Sequence, residues 1–510
     1  MAKNIVICAD GTGNSTIKGR GTNVFKLYEA VDGNGHRLDP SKVQQVAIYH
    51  DGVGTEVLKW LRILSGATGW GLSRNVKQLY GELARVYDPG DRIYLFGFSR
   101  GAFTVRTLAG LITTCGILDL ARYQTNAAFR RAIRAAYGEY RRKYQTWLSE
   151  GLHGKKVVDS EALRKRFSVK IPGFTDPSRP VIQFIGVWDT VDAVGLPLRT
   201  ADVINQLFWR FKFPDTTLSP NIGCACHALA LDEARKSFAP VLWDESGEDE
   251  TKPARIDQVW FAGVHSNVGG GYPRQGMSLV ALDWMMGKAE ANGLRFLSNA
   301  RIEYRGGADV NDKRYDSRSG LGVFYRWKPR DVQQLARKNK VRRVKVHRSV
   351  FERIARNTEG YAPGALPTDC EVVSSTAART VRDSIAATAR TAFGANPPLL
   401  QQVRKVRLIG VIGYWLLILS TISVAALIVM TFVHDARANA TGWRATTESL
   451  TATAMSSHWL NVILRTAWHH PWVMALAAAS LGLLLWADRR LDAFYSQFWH
   501  SVRMELRQAL

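Results

Sequence analysis

Residues 91–112 read DRIYLFGFSRGAFTVRTLAGLI, and they limit the possible folds more than any other stretch. An apolar run from Ile93 to Phe96 turns through Gly97-Phe98-Ser99-Arg100-Gly101, then continues with Phe103, Leu108, Leu111 and Ile112 at helical spacing. A serine held where a buried strand becomes a helix sits in strained backbone, so the residues two before and two after it must be small. Gly97 and Gly101 fill those positions. Such a turn, a nucleophile elbow, lifts the Ser99 hydroxyl above the sheet edge beside the start of the helix. Gly-x-Ser-x-Gly alone is weak in a chain with 43 glycines. The strand before it and the helix after it give it weight against an ordinary strand-to-helix turn.

The same alternation extends along the first part of the chain. Strand-like runs lie at Asn4 to Ala9, Val43 to His50, Ile93 to Phe98, Val181 to Trp188 and Val259 to Val264. Helical patterns separate them, including Val76 to Tyr87 and Arg100 to Thr113. Strands separated by helices predict an α/β fold with a mostly parallel sheet covered on both faces. Sheets of this kind place their chemistry at the carboxyl ends of the strands. Four of the five runs end beside a polar candidate: Asp10, Ser99, Asp189 and His265.

A serine nucleophile needs a base, and the base needs an orienting acid. In hydrolases of this architecture they follow in the order serine, acid, histidine, each on a loop after a strand. Asp189, in VWDTVDAVG, directly follows a strand, and Asp192 is its rival. His265, in WFAGVHSNVGGGY, follows another, with Gly269 to Gly271 allowing close backbone approach. His227 and His347 compete for the base from helical or strand-flanking contexts. The oxyanion of an acyl-transfer intermediate needs two backbone donors. Arg100 N–H supplies one, and Gly11 or Thr12 in DGTGN the other, although a plain Asp-Gly turn explains DGTGN equally well. The chemistry asks for no metal and no organic cofactor. A phosphatase reading of the Asp-Gly-Thr fails because Cys8 stands where its nucleophilic aspartate belongs, and phosphate-loop and dinucleotide fingerprints are absent from the sequence.

A net charge of +24 calls for a polyanionic partner, either nucleic acid or an anionic membrane surface. No zinc-finger spacing or RNA-binding signature accompanies the basic residues, so no specific nucleic acid is expected. Five scattered cysteines, with Cys224 and Cys226 too close for a usual zinc site, read as reduced structural thiols. The N-terminal apolar run is too short for a signal peptide and passes into Asp-Gly, which predicts a main body that starts in the cytoplasm.

Residues 122–170 carry 13 Lys/Arg against 4 Asp/Glu with interleaved aromatics, and read as a basic helical insertion. A solvated helix pair and a lid or membrane-facing surface are the two readings of it. The remaining boundaries are a hydrolase domain over 1–370, a linker over 371–407 that includes a short amphipathic helix, and an uncharged apolar run over 408–433. That run is long enough to cross a bilayer with some tilt; a buried soluble helix is the alternative. A short loop over 434–470 leads to a second apolar run, 471–487, with Trp468, Trp472 and Trp486 near its ends. The tail, 488–510, repeats Leu491, Phe494, Phe498 and Val502 as an amphipathic stripe. Arg404, Lys405 and Arg407 precede the first run and Arg489 and Arg490 follow the second, a bias that places both outer flanks inside.

Together CADGTGN, TNVFKLYEAV, YHDGVGT, GDRIYLFGFSRGAFTVRTLAG, VWDTVDAVG, HALALDEARKSFAP and WFAGVHSNVGGGY resemble, in order, the α/β-hydrolase domain of the first class of type VI secretion lipase effectors and its uncharacterised relatives. VHRSVFERI and YAPGALP resemble the end of that domain, so the match covers roughly residues 1–370. The resemblance implies a phospholipase or related carboxylic ester hydrolase with a Ser-Asp-His triad, which falls by motif on Ser99, Asp189 and His265. Asn267 departs from the aspartate common in that family. The C-terminal hairpin lies outside the resemblance, so secretion as an effector does not follow from it. The expectation is a two-span protein of a bacterial inner membrane with a cytoplasmic serine esterase acting on a phospholipid or other ester. A catalytically silent scaffold or partner-binding protein on the same fold is the alternative; protein partners are not specified by the sequence.

Overall fold

The computed structural model describes residues 2–12, 21–52, 70–142, 159–167, 180–191, 216–367, 369–374, 379–394, 397–438, 465–466 and 468–510. They form two compact units, one of residues 1–392 with 502–510 and the other of residues 393–501.

The first unit is built on an eight-stranded sheet: β1 (Asn4–Thr12), β2 (Gln45–Gly52), β3 (Arg92–Phe98), β4 (Ile182–Trp188), β5 (Ile222–Ala230), β6 (Ile256–Phe261), β7 (Lys345–His347) and β8 (Glu371–Val373). Its order is β2-β1-β3-β4-β5-β6-β7-β8, and each neighbouring pair is parallel. Because a parallel sheet is covered on both faces, alternate residues of one strand enter different cores. Ile5 and Ile7 of β1 and Ile93 and Leu95 of β3 join a cluster with helices Trp70–Val86, Arg100–Cys115 and Asn126–Arg142. Val6, Cys8, Tyr94, Phe96 and Phe98 point the other way, into a cluster with Asn23–Ala30 and Gly276–Ala291.

Three strands go beyond the sequence reading. β5 (IGCACHALA) lies in a stretch that reads as helical because alanines and cysteines replace the usual β-branched residues. Pairing with β4 and β6 and burial of most of its side chains hold it as a strand despite that composition. β7 and β8 have three residues each, too few for any period to register, and β8 begins where the apolar pattern thins.

The described part of the basic segment is amphipathic. Phe129, Ile133, Ala136, Tyr137 and Tyr140 are buried in the first core, while Arg130, Arg131, Arg134 and Arg142 are exposed. Residues 143–158 and 168–170 of that segment lie outside the described residues.

The chain passes from β1 to β2 on one side, then from β2 back across β1 to β3 on the other. Where strand order reverses, the loops at the carboxyl ends diverge and open a crevice. The ends of β1 and β3 carry Asp10 and Ser99.

In the second unit, helices Pro397–Ala438 and Pro471–Ala509 (the latter through Ser501) are both long and apolar enough to cross a membrane. Arg407 donates to the Tyr495 hydroxyl at 2.8 Å and Thr466 Oγ1 to Thr431 Oγ1 at 3.3 Å, so the chain folds back antiparallel. Hydroxyls inside the apolar stretches donate to carbonyls of the preceding turn: Thr421 to Leu417, Ser423 to Leu419 and Ser480 to Leu476. Closure of this kind lowers the cost that a hydroxyl would meet in hydrocarbon. Leu419, Ile422, Val429 and Met430 stand exposed on the outside.

Candidate active site

The glycines of the elbow explain its shape. A Cβ on Gly97 would lie 2.6 Å from the Gly101 carbonyl oxygen, and one on Gly101 would lie 2.1 Å from that of Ala9. Only with both positions bare can the helix Arg100–Cys115 start this close to β1. Ser99 sits between them at φ 57 and ψ −121, a conformation that costs about 1–3 kcal/mol in a residue with a side chain. Its N–H is tied to the Trp188 carbonyl at 3.1 Å, and its side chain does not cap the helix it precedes. The first-turn N–H groups are therefore not claimed by the serine.

β3 and β4 are in register, Phe98 beside Trp188, so Ser99 and Asp189 leave adjacent strand ends. Asp189 is fully buried and also adopts a positive φ, 39°. Its N–H continues the β5 ladder to Ala228 at 2.8 Å, and its Oδ1 accepts from Ala230 N–H at 3.0 Å. β6 brings in His265, the first residue of the short helix His265–Gly269, whose Nδ1 lies 2.6 Å from Asp189 Oδ2. Burial alone would push the Asp189 carboxyl up, but Arg330 and His265 beside it hold it well below the usual carboxylate range. A carboxylate can only accept, so Nδ1 carries the proton and Nε2 is left as the basic nitrogen. Phe98 packs against the imidazole with centroids 4.6 Å apart and Phe238 meets it edge-on at 4.9 Å. Gly269 leaves room for Phe98, whose ring would lie 2.0 Å from a Cβ there.

Among the described residues no hydrogen bond joins Ser99 Oγ to His265. Hydrogen bonds of this kind are commonly long without substrate and tighten in the complex.

The competing histidines have other work. His227 Nε2 accepts from Thr190 N–H at 3.0 Å, which steadies the loop that carries Asp189. Burial, followed by the nearby Arg106, lowers its imidazole to about 3. His347 accepts from Ser349 N–H to cap the helix Arg348–Arg356 and stacks on Phe261 at 4.6 Å; burial lowers it to about 4. Asp192 lies outside the described residues.

The loop after β1 is organised by Asp10. Its Oδ1 accepts from Gly11 N–H at 2.6 Å, and its Oδ2 accepts from the hydroxyls of Thr22 at 2.5 Å and Tyr49 at 2.9 Å. The Gly11 amide is thus engaged by its neighbour's side chain; the Thr12 side chain lies outside the described atoms. Asn267 accepts from the N–H groups of Val264 and Tyr315 and donates to the Lys313 carbonyl at 3.2 Å. An aspartate there would lack that last donor.

Two residues escape the sequence reading. Arg330 reaches Asp189 with both terminal nitrogens, at 2.7 and 2.8 Å, from a segment with no helical or strand pattern. Glu233 is buried in LDEARKSF, a stretch that reads as helix, and its Oε2 accepts from the His265 N–H at 3.2 Å. Burial opposes its ionisation, yet paired Arg235 brings the carboxyl to about 2. Among the described residues no cluster of three or more His, Cys, Asp or Glu could hold a metal ion. The five cysteines are unbridged, with Cys224 and Cys226 sulfurs 3.9 Å apart.

The chain is similar to several known proteins. About 30% identity over 250 residues relates the chain to an uncharacterised protein of Saccharomyces cerevisiae, covering 46% of this chain and 32% of the yeast one. An uncharacterised protein from Pseudomonas aeruginosa of known structure is similar at 16% identity and a TM-score of 0.34, over 98% of this chain and 66% of that one. The structure of the Tle1 effector bound to the VgrG spike from the type VI secretion system is similar at 18% identity and a TM-score of 0.28, over 53% of this chain and 51% of that one. The chain thus spans about a third of the yeast relative and about half of the effector. Residues 3–288, more than half of the sequence, match the family described as type VI secretion system, phospholipase effector Tle1-like, catalytic domain, and the chain belongs to that family.

Proposed function

We propose that this protein is a membrane-anchored serine hydrolase that cleaves a carboxylic ester, with a phospholipid as its substrate. The observation that carries the reading is the 2.6 Å contact between His265 Nδ1 and Asp189 Oδ2 beside a serine held at positive φ on the adjacent strand end. In this reading Ser99 Oγ attacks the acyl carbonyl and His265 Nε2 takes its proton. Asp189 keeps the imidazole in the required tautomer and stabilises its charged form. Arg100 N–H, at the positive end of its helix, holds the oxyanion together with an amide of the Asp10 loop. Gly11 N–H is already bound to the Asp10 carboxylate, which favours Thr12 N–H over it as the second donor. His265 then returns its proton to the leaving oxygen, and water releases the acyl group by the same route.

The family supplies the lipid class of the substrate, and the two apolar helices supply a means of staying beside it. Basic flanks on both sides of the hairpin favour a cytoplasmic hydrolase domain at a bacterial inner membrane. The functional domain runs over residues 1–370, with 408–433 and 471–487 as spans. The exposed arginines of Asn126–Arg142 suit anionic head groups.

The test is release of fatty acid and lysophospholipid from mixed vesicles by the full chain in detergent, alongside Ser99→Ala. Loss of a positioned nucleophile costs about 10⁴-fold or more, so release should vanish in the variant. No release with intact fluorophosphonate labelling would keep the hydrolase and discard the lipid. No release and no labelling would favour a silent scaffold on this fold.

A further inference from the structure

The Asp189 carboxylate meets four donors: His265 Nδ1, Ala230 N–H and both terminal nitrogens of Arg330. Arg330 is itself 5% exposed, and its guanidinium also donates to the carbonyls of Ala230 and, at 2.6 Å, Phe238. One side chain therefore grips the acid that orients His265, the end of β5 behind it, and the backbone of the phenylalanine whose ring packs on the imidazole. We propose that Arg330 is a positioning residue of the hydrolysis reaction, a clamp that fixes Asp189 and Phe238 around His265 and whose charge beside the carboxylate bears on the acid limb of the pH profile. This rests on the serine-hydrolase reading of the site.

A forked guanidinium matches the two oxygens of a carboxylate in one plane, which fixes carboxylate rotation in a way an ammonium cannot. That rotation decides whether Oδ2 faces Nδ1. The same cation competes with an imidazolium for the carboxylate's charge. A variant without that cation leaves the carboxylate's full charge to the imidazolium, so its acid limb should differ from that of the wild type. Other charged groups also lie near the site. Glu233, under the His265 N–H, is paired with Arg235; Asp232 accepts from Gly263 N–H and the Tyr361 hydroxyl. His227 is held neutral behind Thr190, Arg106 lies over Trp243, and Arg100 and Tyr325 flank the serine side of the site. Among the described residues Arg330 is the one lysine or arginine bonded to Asp189.

The experiment follows kcat and kcat/KM against pH for the full chain in detergent micelles with p-nitrophenyl butyrate, in wild type, Arg330→Gln and Arg330→Lys. Fluorophosphonate labelling and thermal unfolding are measured on each. Arg330→Gln should move the acid limb of kcat/KM up by about one pH unit, since it removes a neighbouring charge. Arg330→Lys keeps the charge and loses the fork; it should lower kcat about tenfold with the limb in place. A folded Arg330→Gln protein with an unmoved limb overturns the proposal. If that variant does not fold, Arg330→Lys decides, and wild-type kcat in it overturns the clamp. Wild-type protein that neither labels nor cleaves the ester defeats the hydrolase reading itself, and the proposal with it.

Discussion

The two units carry similar apolar side chains and arrange them in opposite ways. In the first, strand residues such as Ile7, Phe96 and Val187 have no exposure, and the polar groups at the strand ends bind one another. In the second, Leu419, Ile422, Val429 and Met430 are mostly exposed, and hydroxyls turn inward to their own helix. The first arrangement minimises free energy in water and the second in hydrocarbon. Apolar content alone does not separate them; its placement does.

Breaking the first unit at its tightest point should have the largest effect. Gly101→Val places a side chain against the Ala9 and Asp10 carbonyls, and overpacking on a backbone that cannot yield costs about 3 kcal/mol or more. The expected result is loss of the cooperative thermal transition together with probe labelling. An intact transition would mean that β1 and the elbow helix can separate.

The second unit is broken by charge. Leu419→Arg puts a cation in the middle of the uncharged run, a change of about 3 kcal/mol against insertion. The protein should leave the membrane fraction while cleavage of a soluble ester persists. Retention in the membrane would assign the anchor to another surface.

The smallest effect sharpens the comparison through acid. His227 and His347 stay neutral in the fold at about 3 and 4, below the ordinary histidine value. Stability from a group depressed in this way is complete above the unfolded value, and is lost as pH falls through the folded one. Asp189 and Glu233, also depressed, add a further loss at lower pH. His227→Gln keeps an acceptor for Thr190 N–H without titrating, so the midpoint of acid unfolding followed by circular dichroism should move down by roughly half a pH unit. An unchanged midpoint would place the acid-sensitive step elsewhere.

The strand-end positions of Ser99, Asp189 and His265 are legible in the sequence because each follows an apolar run, and Ser99 and His265 are also punctuated locally, by Gly97 and Gly101 and by Gly269 to Gly271. Parallel alternation of strands and helices is legible for the same reason. β5 is hidden by its small residues, since pairing with β4 and β6 and burial override strand propensity there. Arg330 is hidden by distance: it stands 141 residues from Asp189 in a segment without periodicity, and only the folded sheet brings them together. Glu233 is hidden by a helical pattern that the chain does not adopt.

Residues 502–510 have a consequence for the order of synthesis. They belong with residues 1–392, where Leu506 is fully buried and Arg507 donates to the Ala355 carbonyl at 2.8 Å. A ribosome makes them only after both apolar helices, so the hydrolase unit stays open on that side while the hairpin is emerging. Its packing on that side waits until both apolar helices have been made.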